Sequence, residues 1–382
     1  MSSIRVSTLP IALRNDPTFE TFLSPIVAYA TAKLIGAEPM ISINLFGMKY
    51  EQVLSDSEGV RLYSDSLRNI CGENFNPHVV SDVNDQYVSK IKELLSSKID
   101  DGTIVKTELE LMMCSCGRSQ FPKDALASIA LEPDIVEKTA SGYRCVFCHS
   151  ELFEQVTSAL ILRAQSGFVA PTIFPDRYRK KAENQQQILS GRPVIISRVQ
   201  RNTESRFSVH GYSIDPDVWW ACMPFISLQN QDEVILVTSS KTLWHAVRTT
   251  HIARLLGIEC KVSVLVHPYL KILDQETKLS RMSVSDYQKA VASPAAARAF
   301  LLTGLQWGSD VSNLTSDELY LVNHSYQVTV EIAQTDVISI SRVTRVLQRN
   351  TFVSLFKKLR SLSKPALTED ESRLARAVLL PW

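Results

Sequence analysis

Two strand–helix–strand patterns, one at the amino terminus and one beginning near Glu233, constrain this chain more than any other feature. A strand, a crossover helix and a second strand form the unit from which parallel sheets are built. In the first unit Ile4–Leu9 reads as a strand and Pro10–Pro17 as a loop. Phe19–Ile35 then has helical periodicity, with Phe22, Ile26, Ala30 and Leu34 on one face. Gly36 stands where a helix C-cap belongs, and Met40–Phe46 reads as the second strand. The second unit repeats the pattern. Glu233–Val237 is a strand, Thr242–Leu256 a helix closed by Gly257, and Lys261–His267 a strand. The expected fold is α/β, a Rossmann-like parallel sheet whose halves are separated by an insertion.

The 382 residues suffice for two or three domains. On this reading residues 1–75 and 211–290 are the two halves of the sheet domain, residues 76–210 the insertion, and residues 291–382 a helical carboxyl-terminal region. Within it, Gln327–Ile332 is a candidate strand. Apolar residues make up 45% and charged residues 21%, the balance of an ordinary globular protein. A net charge of +1 points to no strongly acidic or basic partner. No apolar run approaches membrane-spanning length, and the amino terminus lacks the apolar core of a secretory signal. With a cysteine pattern suited to a reducing compartment, the expected location is the cytoplasm, with no membrane partner.

Seven cysteines include two close pairs, Cys114-Ser115-Cys116 and Cys145-Val146-Phe147-Cys148, with 28 residues between them. Two such pairs supply the four thiolates of a closed tetrahedral zinc site, in a knuckle of about 107–151. A site with four protein ligands is structural, because no position is left open for a substrate. His149 could replace one ligand, and four unmetallated buried thiols are the competing reading.

Lys278-Leu279-Ser280-Arg281-Met282 follows the second strand–helix–strand unit. It resembles the Lys-Met-Ser-Lys-Ser loop of class I aminoacyl-tRNA synthetases. The resemblance covers about two thirds of the chain: Val6–Phe46, the cysteine-bearing insertion, and Asp217–Ser283. It implies a catalytic domain with a zinc-bearing insertion, degenerate signature motifs and no anticodon-binding domain. It further implies an enzyme that uses ATP with Mg to form an aminoacyl-adenylate, then passes the amino acid to tRNA or a non-tRNA acceptor. By resemblance, Lys278, Ser280 and Arg281 are catalytic, steadying the phosphates as charge builds. The family's His-Ile-Gly-His signature falls on Asn15-Asp16-Pro17-Thr18, so Asn15 and Thr18 take the nucleotide-binding places of the imidazoles. From the residues alone, that tetrad is an Asp16 N-cap with Pro17 at the first helical position. Ser240 falls where the family has a ribose-binding aspartate, and His245 lies five residues on. Trp219, Trp220 and Trp244 are candidate pocket walls that equally suit a core.

Arg342, Arg345, Arg349, Lys357, Lys358, Arg360 and Lys364 lie in a stretch between Asp336 and Glu369 that holds no acidic residue. Val343, Val346, Leu347, Phe352 and Leu355 interleave at helical spacing. Such an amphipathic basic helix pair could follow an RNA backbone through Arg342–Lys364, or cover a core and show its cations to solvent. There is no Gly-x-Ser-x-Gly, no Gly-x-x-x-x-Gly-Lys-Ser/Thr and no Gly-x-Gly-x-x-Gly, which argues against three common nucleophile and phosphate devices. The alternative function is a non-catalytic synthetase-like protein that binds RNA, a nucleotide or a protein partner.

Overall fold

The amino-terminal unit forms close to its expected bounds. It comprises β1 (Ile4–Thr8), a short β2 (Ile11–Ala12), α1 (Phe19–Ile35) and β3 (Glu38–Asn44). Gly36 closes α1 in the left-handed conformation, φ +67°, which a residue with a Cβ adopts only under strain. There follow α2 (Asp56–Cys71), β4 (His78–Ser81) and α3 (Asp85–Asp100). The Asn84 side chain starts α3 by accepting from the amides of Gln86 and Tyr87. The chain is seen here as a computed structural model. The residues described are 4–12, 19–45, 55–71, 78–117, 119–123, 136–140, 142–198, 207–226, 233–272, 301–302, 305–314, 337–359 and 366–378.

The insertion is a second, antiparallel sheet. β5 (Ile104–Met113) pairs with β6 (Gln120–Pro122), and the small ribbon of β7 (Val136–Lys138) and β8 (Tyr143–Cys145) follows. β9 (Phe153–Leu162) then pairs with β5 along ten residues. The chain next returns to the main sheet, adding β10 (Thr172–Phe174) parallel to the strand that ends in His267. α4 (Arg179–Leu189) and β11 (Val194–Ile195) follow, then the hairpin of β12 (Ser208–Val209) and β13 (Tyr212–Ser213). The basic run at Arg177 is therefore part of the main sheet's flank. Tyr178 is buried, and Arg177 pairs with Asp310.

α5 (Pro216–Ile226) leads into the second unit, β14 (Glu233–Ser239), α6 (Leu243–Leu255) and β15 (Lys261–His267). β16 (Tyr269–Ile272) pairs in parallel with β17 (Val311–Leu314), a strand within a region read as helical. Three helices close the described chain: α7 (Ile340–Val346), α8 (Arg349–Leu359) and α9 (Glu369–Val378). Gln327–Ile332 lies outside the described residues.

The main sheet has seven strands, ordered β10–β15–β14–β1–β3–β2, with β4 also on β3, and every pairing is parallel. The fold is thus the expected α/β, Rossmann-like one. β1 leads to β3 on one side, and β14 leads to β15 on the other. The carboxyl ends of β1 and β14 therefore flank a topological switch point, where open α/β sheets bind ligands. β14 is buried on both faces, as parallel strands are. Ile235 and Val237 join the cluster containing Phe22 and Ile26 of α1, while Val234 and Leu236 join Ala182 of α4 and Leu243, Ala246 and Val247 of α6. Each of the Val, Leu, Ile and Phe side chains among them contributes about 1.5–3 kcal/mol when fully buried. α1 departs from the one-faced helix its pattern suggested. Phe22, Leu23, Ile26, Val27, Ala28, Ala30 and Ala32 are all buried, because α7 and α9 cover the side the sheet leaves open.

Candidate nucleotide edge and metal centre

The four cysteines converge. Their sulfur atoms all lie within 4.8 Å of one another, with Cys114–Cys116 at 3.3 Å and Cys116–Cys145 at 3.8 Å. Four sulfurs bound tetrahedrally at about 2.3 Å stand about 3.8 Å apart, so this set fits a metal such as zinc. Both pairs sit in tight turns, each closed by a left-handed residue directly after the second cysteine. These are Gly117 at φ +67° and His149 at φ 56°. His149 is an exposed turn residue outside the group of four. Backbone amides point at the sulfurs, Ser119 N to Cys114 Sγ at 3.2 Å and Phe147 N to Cys145 Sγ at 3.4 Å. Burial opposes ionisation of the Cys148 thiol. Hydrogen bonds from Ser150 and Cys116 outweigh it and bring the thiol down to about 5, toward the thiolate a metal takes.

The knuckle is tied to the sheet domain. Arg198 donates from Nη1 to the Gly117 carbonyl at 3.1 Å and from Nε to Asp215 Oδ2 at 2.7 Å. Asp215 in turn accepts from the amide of Asp217 at 2.8 Å and so caps α5. Asp217 pairs with Arg248 of α6 at 2.7 Å. Burial opposes the Asp217 charge, yet Arg248, His245 and Arg198 hold its carboxyl below the ordinary value.

At the carboxyl end of β14, Ser240 is buried and its hydroxyl is occupied. It donates to the Asp310 carbonyl at 2.6 Å and accepts from the Tyr269 amide at 3.2 Å. His245 stands exposed in the first turn of α6. Beside them, His267 ends β15 fully enclosed. Its Nδ1–H donates to the Pro268 carbonyl at 2.9 Å, which leaves Nε2 to accept from the Ser24 hydroxyl at 2.8 Å. Burial pushes the His267 imidazole down to about 4.

Trp219 and Trp220 are anchored by one residue that the sequence reading missed, Trp219 on its carbonyl and Trp220 on its carboxylate. Asp82 follows β4 and is fully buried. Trp220 Nε1 donates to its Oδ2 at 2.8 Å, the Leu45 amide to its Oδ1 at 2.7 Å, and Trp219 Nε1 to its carbonyl at 3.2 Å. The available signal was an aspartate directly after a short apolar strand. Trp244 keeps a buried indole N–H without a partner. Asn15, Thr18, Lys278, Ser280 and Arg281 lie outside the described residues.

Arg342 and Arg345 of α7 and Lys358 of α8 meet counter-charges in the first turn of α9, while the side chains of Lys357, Arg360 and Lys364 lie outside the described residues. Arg342 lies 3.5 Å from Asp370, Arg345 lies 2.9 Å from Asp370, and Lys358 lies 2.6 Å from Glu371. Val343, Val346, Phe352 and Leu355 are buried beneath them.

The sheet order and switch point define an α/β, Rossmann-like fold, into which the cysteine knuckle is inserted. No protein-family model matches the chain, and neither does any curated protein. Solved structures do. A methionyl-tRNA synthetase from Mycobacterium tuberculosis in complex with methionyl-adenylate superposes with a TM-score of 0.59 at 13% identity, covering 99% of this chain and 81% of its own. A second methionyl-adenylate complex of that enzyme gives 0.61 at 12%, covering 99% and 88%. Its free form gives 0.56 at 11%, covering 99% and 86%. At such identity the likeness is one of fold. Among the described residues no helix is long and apolar enough to cross a membrane.

Proposed function

We propose that the chain activates an amino acid with ATP, forming an aminoacyl-adenylate, and passes the acyl group to tRNA or to a smaller acceptor. One observation carries this reading. The fold matches that of adenylate-bound methionyl-tRNA synthetases over 99% of this chain. A carboxylate oxygen of the amino acid attacks the α-phosphorus of ATP, and the bond to the bridging oxygen breaks to release pyrophosphate with Mg. In this reading Lys278 and Arg281 neutralise the departing pyrophosphate, and Ser280 donates a hydrogen bond to it. Asn15 and Thr18 donate to phosphate oxygens from the start of α1, where the helix dipole favours anions. Ser240 and His245 border the ribose. Cys114, Cys116, Cys145 and Cys148 hold a zinc ion that fixes the knuckle, and Arg198 transmits that order to α5.

Amino-acid-dependent exchange of labelled pyrophosphate into ATP tests the proposal, with methionine first and then the other amino acids, in the presence and absence of tRNA. Exchange with one amino acid, lost in Lys278→Ala, is the expected result. A folded, zinc-loaded protein that exchanges with none of them rules the activity out. A second reading, a non-catalytic binding protein, draws support from Ser240, whose hydroxyl proton is already committed to the Asp310 carbonyl. Binding of ATP without exchange would favour it.

A further inference from the structure

The main sheet has a concavity at the end opposite the switch point. It lies where β1, β3 and β4 begin, against the last turns of α1, and encloses about 370 Å3. Glu38 and His78 are the first residues of β3 and β4, and Arg5 is the second of the adjacent β1. The parallel register sets Arg5 beside Glu38 and Met40 beside His78. From α1 come Tyr29 and Lys33, with the ammonium 5.3 Å from the ring centre. Arg5 is 8% exposed and directs Nη1 toward Met40 Sδ at 3.7 Å, while Lys33, Glu38 and His78 are exposed around it.

Two cations, Arg5 and Lys33, and the His78 imidazole thus line, with one carboxylate, a concave, partly apolar space. Low-dielectric walls concentrate such a field and draw in anions. Burial, then the neighbouring Arg5 guanidinium, hold the His78 imidazole below its ordinary value against the opposing pull of Glu38, so it stands beside the two cations as a neutral donor.

We propose that this concavity is a second ligand site, for a small multiply charged anion of the phosphate or pyrophosphate kind. Arg5 and Lys33 supply positive charge to the phosphate oxygens, and the uncharged His78 imidazole donates one N–H to them. Glu38 accepts from a protonated oxygen of the ligand. The site is distinct from the proposed nucleotide edge. β1 is five residues long, so the two ends of the sheet are roughly 15 Å apart.

Titration calorimetry on the full, metal-loaded chain tests it, with inorganic phosphate, pyrophosphate and acetate as probes. Phosphate and pyrophosphate should bind, and acetate at least about tenfold more weakly. Lys33→Ala and His78→Ala, both at exposed positions, should each weaken phosphate binding by about tenfold with an unchanged circular dichroism spectrum. Arg5→Gln should abolish it, and Lys278→Ala should leave it intact. No heat with either phosphate, acetate binding as tightly as phosphate, or affinity unchanged in Lys33→Ala and His78→Ala would each overturn the proposal. So would binding lost in Lys278→Ala alone, which would assign the anion to the opposite edge.

Discussion

Asp82 holds together parts of the carboxyl edge that are distant in sequence, namely the end of β3 and two indoles of α5. Its two oxygens meet two N–H donors, so an amide in its place turns one donor against another. Asp82→Asn should therefore cost about 1–3 kcal/mol in urea unfolding, although it is nearly isosteric. His267 makes a pH-dependent contribution. Its folded value, about 4, lies below the ordinary value of 6.5, so its contribution to stability is full above pH 6.5 and is lost as pH falls toward 4. The slope is at most about 1.4 kcal/mol per pH unit, because one imidazole takes up one proton, and that protonation breaks the hydrogen bond accepted from Ser24. His267→Gln should flatten the urea midpoint between pH 7 and pH 4.5. An unchanged slope would place the acid sensitivity elsewhere.

At the scale of elements, the helix ends show which local signals were readable. Gly36 was read as a C-cap and is one, and its left-handed backbone packs against Val337. A Cβ built there meets Val337 Cγ1 at 2.9 Å. Gly36→Ala should cost about 1–2 kcal/mol from backbone strain. The contact adds to this, and Val337→Ala should recover that added part in a double-mutant cycle. α9 begins with a capping box that the sequence reading passed over. The Thr368 hydroxyl accepts from the Glu371 amide at 3.2 Å, and Glu371 accepts from the Thr368 amide at 2.7 Å. The same Glu371 carboxylate takes Lys358 and Ser354 of α8. An acid-free stretch thus says little about a free cationic face when the next helix opens with Glu369, Asp370 and Glu371.

For the molecule as a whole, the parallel core and the cysteine knuckle were legible, because period-two and helical patterns and close cysteine pairs are local signals. The strand Thr172–Phe174 was not, since three residues carry no periodicity and their place at the sheet edge comes from tertiary pairing with β15. Nor was β17, whose partner β16 is distant in sequence. Asp82 was missed for the same reason: its donors come from elsewhere in the chain. The expected roles of Ser240 and His245 came from spacing, and spacing does not reveal that the Ser240 hydroxyl is already bonded within the protein. The Arg198 link makes the knuckle part of the global fold. Stripping metal with a chelator should lower the melting temperature of the whole chain, read by calorimetry, with a smaller shift in Arg198→Ala. Equal shifts would mean that the knuckle melts alone.

The neighbours in the middle of the sheet are β1 and β14, yet β14 is synthesised more than two hundred residues after β1. On a ribosome adding about 5–20 residues per second, the nascent chain waits about 10–45 seconds with the β14 side of β1 unpaired. Its open strand edge is then a template for pairing with other chains. Fragments ending before Glu233 should therefore aggregate when expressed, and yields of the full chain should rise with slower growth or with chaperones that shield nascent strands.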